Sequence, residues 1–453
     1  GTAAAPIVIG EYGSGPKPIL TSFQAIDKWK PLGDGIFESI DAIDSENVQV
    51  LLINGQRQEL GRYPNRDTEN AGYHTIEEVE NNAIKSSQLV SSPNWEGGNI
   101  VIRTTDWVIN NYSIERHSGD QIKFEGNISP YQAKAGYGFF VSNHLSTLDS
   151  YGEWYFNPLT RKIYVFLGER SPNNMEIEVT TLDNLLTKDY RDDNIRIEGL
   201  HLRGSNKHII HLEGGNNIVI NQSEIEYAGG DGIYALSVTN LLIENNIVRY
   251  IYNNSLNLRY GNDEAIVQNN KISNTATIAG RTKNDDAAGI GIFVGGEKIL
   301  VQNNSVINTG FNGIQFSGNY INIKNNFVDN YCLIKTDGGG IYTFGGTSYQ
   351  KYFGRIIEKN IVINGIGDPA GVPKRGVESN QLVEGIFLDD NSNNIDIIGN
   401  TVGNTSNSGL KIANGNSITV DNNLFFNNGN GLSLGNSANG NDTRNNLIVN
   451  NQF

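Results

Sequence analysis

Aliphatic and polar positions alternate in short runs over the second half of the chain, and most runs end in asparagine. The pattern aliphatic-x-aliphatic-x-Asn-Asn-x-aliphatic recurs about every 23 residues from about residue 193 onward, over about ten turns. It is clear at 242–248, 321–328 and 418–425. A fixed period of this length without helical spacing predicts a parallel β-helix, with stacked aliphatic positions and a hydrogen-bonded row of asparagines at one corner. A leucine-rich repeat has a similar period, but its leucine consensus is missing.

The first part of the chain follows a different pattern. Residues 1–35 read as strand, turn and strand, which predicts the first turns of the same β-helix. From 36 to 190 the repeat is absent, and hairpin signals replace it at 48–57 and 152–167. We therefore predict an all-β chain with an antiparallel β module inserted at 36–190 and the main β-helix at 191–453. Within the module, only about 75–92 has a helical pattern.

Three insertions lengthen the repeat and carry its densest acidic motifs. Asparagine corners that otherwise lie about 22–24 residues apart are separated there by about 34, 34 and 40 residues. Insertions in a solenoid fall at its corners and commonly on its binding face. Glycine–isoleucine steps at 291, 313, 340 and 385 begin the same strand on successive turns, so acids beside them are expected to project from one side.

Paired carboxylates within about 5–10 Å are what glycosidic hydrolysis requires, which makes these acids the candidate catalytic groups. Asp337 is the first candidate, because three glycines follow it and are expected to clear side chains from around it. Asp389, Asp390 and Glu384 flank the next strand and complete the catalytic set. Aspartate is also a common turn residue, so the alternative for each is a structural role.

The same insertions contain candidate substrate-binding residues. Those predicted are Arg281, Lys283, Asp285, Asp286, Tyr342, Phe344 and Tyr352, where the aromatic rings could stack on sugars and the acid pair could instead hold a cation or the two basic side chains. A structural role is predicted for Asp231, on a turn without an insertion, and for the histidines at 201, 208 and 211. No metal site is predicted, since no zinc spacing is present.

Composition and charge limit the classes of molecule that the protein is expected to bind. The chain has 453 residues, a formal net charge of −15 and 52 glycines, a mix that suits short strands and tight turns. The acidic charge argues against nucleic acid and against an anionic membrane surface. Cys332 is the single cysteine, so no intramolecular disulfide can form. No apolar run long enough to cross a bilayer and no leader is recognised, and the opening residues read as mid-domain sequence, so we expect a leader and earlier turns to have preceded them.

Several of these segments resemble a known family. The segments 5–13, 51–55, 60–65, 152–158, 337–342 and 385–390 are similar to bacterial right-handed parallel β-helix carbohydrate-active enzymes, closest to the glycoside hydrolases of the β-xylosidase, lacto-N-biosidase and fucosidase/xylanase type. The resemblance covers most of the chain. It implies a secreted, periplasmic or cell-surface enzyme in which Asp337 and one of Asp389 and Asp390 form the acid pair.

Three functions remain open at this stage. The first is a glycoside hydrolase acting on an oligo- or polysaccharide, with no cofactor required. The second is a polysaccharide lyase, assisted by calcium on the acidic loops or by arginine, with Lys283, Arg281, Lys335 and Arg259 as available bases and clamps. The third is a non-catalytic β-helix that binds glycans. The acid-rich insertions favour the first, and the oligomeric state is left open.

Overall fold

Three long parallel sheets build the protein, as the repeat predicted. In the computed structural model, which describes residues 1–90, 92–126, 130–190, 192–374, 382–436 and 442–453, the sheets contain eleven, ten and ten strands. Each strand pairs in parallel with the equivalent strand one turn later. The predicted fold, a right-handed parallel β-helix with additional antiparallel strands, is confirmed.

Sheet 1 holds the strands that lead into the asparagine corner. They are Ile7–Gly10, Ile195–Glu198, Asn216–Asn221, Thr239–Glu244, Ile266–Gln268, Leu300–Gln302, Asn322–Lys324, Arg355–Glu358, Asn393–Ile398, Asn416–Asp421 and Leu447–Val449. Sheet 2 follows the corner, with Ile19–Thr21, His201–Ser205, Glu224–Ala228, Ile247–Ile251, Lys271–Thr275, Ser305–Thr309, Phe327–Tyr331, Ile361–Gly365, Thr401–Gly403 and Leu424–Phe426.

Sheet 3 carries the candidate acids. Its strands are Asn184–Lys188, His208–Glu213, Ile233–Leu236, Leu256–Leu258, Ile292–Glu297, Ile314–Asn319, Gly338–Phe344, Val383–Asp389, Ser408–Ala413 and Asn430–Gly435. The inward residues of neighbouring strands align, as in the column of Ile292, Ile314, Ile341 and Ile386, all fully buried. Alternate residues therefore point outward and form the outer face of this sheet.

The asparagine pairs explain how the chain turns between sheets 1 and 2. The first asparagine of a pair adopts positive φ, for example 53° at Asn325, a conformation that asparagine tolerates better than most residues. The second side chain is buried and donates to its counterpart one turn on, at 3.0 Å from Asn304 to Asn326 and from Asn326 to Asn360. The same acceptor oxygen takes a backbone N–H, as from Asn304 to Asn326 at 3.0 Å. The buried corner is thus hydrogen-bonded along the stack.

Antiparallel strands occupy the region between the first strands of sheets 2 and 3. They are Phe23–Ala25, Trp29–Gly33, Ile36–Ser39, Leu51–Ile53, Gln56–Arg57, Arg62–Tyr63, His74–Thr75, Glu78–Glu80, Ala83–Lys85, Asn99–Arg103, Ile109–Ser118, Gln121–Phe124, Gly138–Ser142, Trp154–Asn157, Lys162–Phe166 and Ile177–Thr180. Two apolar clusters, one around Trp95 and one around Trp154, form cores separate from that of the β-helix. We call this region the module.

The helical pattern expected at 75–92 is wrong. That stretch contains the strands Glu78–Glu80 and Ala83–Lys85, followed by the 3-10 turn Ser87–Leu89, while residue 91 lies outside the described part. Ile84 is fully buried in the module core, so pairing within the sheet outweighs the local pattern. The other helical segments in the described residues are the 3-10 turns Glu69–Gly72, Leu145–Thr147 and Pro172–Asn174. Across the described ranges, no helix has the length and apolar character needed to cross a membrane.

Candidate active site

A groove of about 840 Å³ lies on the outer face of sheet 3, between that face and the module. Its floor is one column of outward residues, in which Phe293, Gln315, Tyr342, Phe387 and Lys411 occupy the same position on successive strands. The column follows from the fixed repeat, because residues in register stack about 4.8 Å apart. The groove therefore runs across several turns of the β-helix.

Asp337 enters the groove from a bend just before its strand. Its φ is +57°, and its backbone N–H donates to the Leu382 carbonyl at 2.6 Å. The glycines that follow have a packing role, since a Cβ on Gly340 would lie 2.2 Å from Val362 Cγ1 and one on Gly338 would lie 2.5 Å from a ring carbon of Phe311. They let the chain bend tightly over the core, and the bend presents the carboxyl group to the groove.

The electrostatic surroundings of Asp337 favour its protonated form. Burial raises the pKa of Asp337 to about 6; the Lys411 ammonium opposes the rise, while Asp389, Asp106 and Glu384 add to it. The Nζ atom of Lys411 lies 4.0 Å from Oδ1 of Asp337. A carboxyl group with this pKa still carries its proton in a mildly acidic solution, which an ordinary aspartate does not.

Asp389 ends the neighbouring strand and is held by two donors. The Tyr342 hydroxyl donates to its Oδ2 at 2.8 Å, and the Asp390 N–H donates to its Oδ1 at 2.9 Å. Burial raises the pKa of Asp389, whereas these two hydrogen bonds lower it, with a net upward shift. Asp390 also lines the groove, and its Oδ1 accepts a hydrogen bond from Asn414 at 2.6 Å.

Glu384 lies behind the groove wall and is fully buried. Its carboxylate accepts hydrogen bonds from Asn407 at 2.8 Å and from the Ser408 N–H at 2.7 Å, and it lies 3.3 Å from Lys411 Nζ. It does not line the groove. The contacts of Glu384 instead fix Lys411, which connects the buried glutamate to the Asp337 carboxyl group.

Asp285 and Asp286 form the wall at the other end of the groove. Asp285 pairs with Arg259 at 2.7 Å, and the Tyr131 hydroxyl donates to Asp286 at 3.0 Å. Burial and the hydrogen bond with Asp285 raise the pKa of Asp286. At Asp285 the effect of burial is outweighed by the Ala287 N–H, by Asp286 and by Arg259, so its pKa is lowered. Asp286 is therefore the member of the pair that holds a proton more readily.

The predicted aromatic residues divide between the groove and other surfaces. Tyr342 and Phe344 line the groove. Tyr352 is buried elsewhere, 4.2 Å beneath the Arg355 guanidinium.

The two predicted basic residues also lie outside the groove. Arg281 donates to the carbonyl and side chain of Gln49 in the module and packs on Tyr252. Lys283 lies 3.5 Å from Asp231 and over the Tyr234 ring.

Asp231 is fully buried among hydrogen-bond donors. Asn253 donates to it at 2.6 Å and Asn257 at 3.0 Å, and His208 Nδ1 lies 3.3 Å away. Burial alone would raise its pKa, but His208, Lys283 and the hydrogen bond from Asn257 lower it well below the ordinary value. Within the described ranges, no group of three or more His, Cys, Asp or Glu side chains is arranged to hold a metal ion.

Sequence reasoning missed much of the groove lining, including Lys411, Trp107 and Tyr131. Lys411 had a usable signal, because Gly409-Leu410-Lys411 repeats the register of the glycine–isoleucine steps one turn later. No sequence signal pointed to Trp107 and Tyr131, since these residues belong to the module and reach the groove only through tertiary packing. Their rings form a T-shaped pair with centroids 5.6 Å apart.

Comparison with known sequences adds a family assignment. The profile of the family described as "Right handed beta helix region" matches residues 190–353 and 281–453, together more than half of the chain. The chain belongs to the right-handed β-helix family. A search of curated proteins returns no match.

Solved structures resemble this β-helix at low sequence identity. One titled "Glycoside hydrolase" has a TM-score of 0.65 and 15% identity, covering 100% of this chain and 85% of its own. The complex of XylC with xylose has a TM-score of 0.44 and 11% identity, covering 94% and 66%. A GH87 α-1,3-glucanase from Streptomyces thermodiastaticus strain HF3-3 has a TM-score of 0.37 and 10% identity, covering 92% and 89%. At these identities the likeness concerns the fold alone.

Proposed function

We propose that this β-helix protein is a glycoside hydrolase in which Asp337 is the proton donor and Asp389 is the second carboxylate. The observation that carries the proposal is that Asp337 and Asp389, at neighbouring strands of sheet 3, line one groove. Burial there raises the pKa of Asp337 to about 6, which supports its role as the acid. Glycosidic hydrolysis needs one protonated carboxyl group and one ionised carboxylate on either side of the scissile bond. Different environments for two acids in one site are the usual means of dividing these roles.

The contacts of each acid support its assigned role. Asp337 would donate its proton to the glycosidic oxygen as the bond to the anomeric carbon breaks. Asp389, whose ionised form is favoured by the Tyr342 hydroxyl and the Asp390 N–H, would act on the anomeric carbon directly or through a water molecule. Proton transfer and charge compensation then come from side chains of this chain, without a cofactor.

The charges of the groove favour a neutral sugar. Among the described residues, five carboxyl groups line it, against the two cations Lys411 and Arg259, and both cations are already paired with acids. A uronate would bring a further negative charge next to these acids, which is unfavourable. We therefore propose a neutral oligo- or polysaccharide as substrate. A β-xylosidase-like specificity remains a proposal based on the resemblance of 337–342 and 385–390, as does a location outside the cytoplasm, where such polymers occur.

A polysaccharide lyase is the second candidate because Lys411 and Tyr342 lie in the same column of the groove floor, on either side of Phe387. A lyase needs a cation to neutralise the uronate and a base to remove a proton. Burial and the nearby Asp389 raise the pKa of Tyr342 well above its ordinary value, which makes it a poor base. Lys335 is buried and donates to the Ala288 carbonyl at 2.8 Å, so it does not replace Tyr342.

The test is the digestion of an oligosaccharide panel by the wild type, Asp337→Asn and Asp389→Asn. The panel contains xylo-, cello-, α-1,3-gluco- and uronate-containing oligosaccharides. We expect new reducing ends without absorbance from an unsaturated uronate, and a rate loss of about 10²- to 10⁴-fold in Asp337→Asn. Asp396→Asn, at an exposed position on sheet 1, is the matched control and should retain full activity.

Two results would overturn the hydrolase proposal. Absorbance that grows with cleavage would indicate the lyase. Binding without cleavage of any panel member would indicate a glycan-binding β-helix.

A further inference from the structure

One turn of the module, residues 103–107, packs directly behind the candidate proton donor. Arg103 is fully buried, and its guanidinium donates to the Ile334 carbonyl at 3.2 Å and to the Ala370 carbonyl at 2.8 Å. It also donates to the Asp106 carbonyl within its own turn at 2.7 Å. The Arg103 side chain therefore hydrogen-bonds from the module to two parts of the β-helix. One is the segment just before Asp337, and the other is the insertion after strand Ile361–Gly365, which contains Ala370.

The backbone of this turn contacts the residue next to Asp337. The Thr336 N–H donates to the Asp106 carbonyl at 3.0 Å, and the Tyr137 hydroxyl donates to the Asp106 side chain at 3.0 Å. Asp337 itself has positive φ, a conformation that costs free energy and persists only where the surrounding structure enforces it. The contacts of Thr336 on one side and of Leu382 on the other provide that constraint.

The last residue of the turn faces the groove. Trp107 is partly exposed, lines the groove, and stands edge-to-face against Tyr131. A partly exposed indole at a groove offers broad apolar surface on which a sugar ring can stack. Tyr131 donates to Asp286, which connects this aromatic pair to the acidic wall.

We propose that the 103–107 turn is part of the active site, with Arg103 as a positioning residue for Asp337 and Trp107 as a residue that stacks on a sugar ring of the substrate. The role of Trp107 rests on the proposed hydrolase function. The role of Arg103 rests on the contacts around Asp337 and can be tested without any substrate.

Arg103 is tested by hydrogen exchange in the full-length chain. Arg103→Lys keeps the positive charge but removes the planar group that reaches three carbonyls at once. We expect amides of 334–340 to exchange about tenfold faster, while those of 416–423 on sheet 1 are unchanged. If Arg103→Lys does not fold, Tyr137→Phe removes one bond to Asp106 and is measured in the same way. Unchanged protection of 334–340 in a folded variant would overturn the positioning role.

Trp107 is tested by kinetics on the panel member that the wild type cleaves. Trp107→Phe should raise KM about three- to tenfold with kcat within about twofold, because stacking area is lost and the acids are untouched. Trp29→Phe makes the same change at a partly buried module tryptophan outside the groove and should match the wild type. KM equal to that of the wild type in Trp107→Phe would overturn the stacking role.

The two proposals fail in different ways. If the wild type cleaves no panel member, both the hydrolase proposal and the proposed stacking role of Trp107 are refuted. In that case the exchange of 334–340 still decides whether Arg103 positions Asp337. Conversely, cleavage lost in Asp337→Asn but unaffected in Trp107→Phe and Arg103→Lys would leave the hydrolase in place and exclude the turn from its active site.

Discussion

Lys411 is the single cation next to Asp337 among the described groove residues, and its removal is the sharpest test of the assigned roles. The ammonium lowers the pKa of Asp337 against the effect of burial, so Lys411→Met should raise that pKa. A proton donor is active in its protonated form, and kcat/KM therefore falls as pH rises through its pKa. The variant should consequently remain active to higher pH than the wild type.

The size of the shift follows from the geometry. At the observed 4.0 Å, two unit charges interact by about 1 kcal/mol in water and by about 4 kcal/mol at an effective dielectric constant of 20. Both side chains are about a quarter exposed, and Glu384 competes for the same ammonium at 3.3 Å. We therefore use the lower part of that range, about 1–2 kcal/mol, which corresponds to about one pKa unit. The pKa of Asp337 would move from about 6 to about 7.

The assay is a pH profile of kcat/KM on a cleaved oligosaccharide. The alkaline limb should move upward by about one unit in Lys411→Met and stay in place in Lys411→Arg, which keeps the charge. Because Lys411→Met leaves Glu384 buried beside fewer partners, the fallback for an unstable single variant is the double variant with Glu384→Gln. It is compared with Glu384→Gln alone, because the Glu384 charge itself raises the pKa of Asp337. An alkaline limb that stays fixed or moves downward in a folded Lys411→Met protein would refute the assignment of Asp337 as proton donor.

Three further predictions concern the groove floor and the scaffold. Tyr342→Phe removes the 2.8 Å bond that lowers the pKa of Asp389, so the acidic limb of the pH profile should move upward and kcat should fall about tenfold; an unchanged profile would contradict the role of that bond. Asn304→Ala leaves several buried groups without partners and should lower the free energy of unfolding by about 2–4 kcal/mol in urea titrations, whereas the exposed Asn216→Ala should change it by less than about 0.5 kcal/mol. Gly340→Ala places a Cβ 2.2 Å from a core methyl and should lower the unfolding free energy by about 1–3 kcal/mol or prevent folding; wild-type stability would show that the core can adjust.

The repeat could be recognised in the sequence because each turn of the β-helix places the same residue types at equivalent positions. Asn325 accepts positive φ and Asn326 hydrogen-bonds along the stack, so an Asn-Asn pair directly after the aliphatic strand of the repeat marks this corner. The aliphatic alternation before it gives the strand, and the period gives the number of strands. Register then placed Asp337 and Asp389 on one face, and both line a single groove. Their catalytic roles remain predictions.

Register alone did not separate groove residues from those behind them. Glu384 lies near the start of its strand on the acid side, but its carboxylate is fully buried and accepts hydrogen bonds from Asn407 and Ser408. Arg281 lies in an insertion with two groove acids, yet its guanidinium packs against the module. Within an inserted loop, side-chain direction is set by the partner surface, which a repeat pattern does not encode.

What the sequence determined by itself is the part built from contacts between equivalent positions one turn apart. The β-helix, its asparagine corner and the face that carries Asp337 and Asp389 all follow from that short-range rule. The tertiary structure alone decided how the module docks, and hence that Arg103 reaches behind Asp337 and Trp107 faces the groove. Residues more than 200 positions apart in the chain meet there, and no period in the sequence relates them. The pKa of Asp337 was likewise decided by the tertiary structure, because it depends on burial and on charges contributed by several turns and by the module.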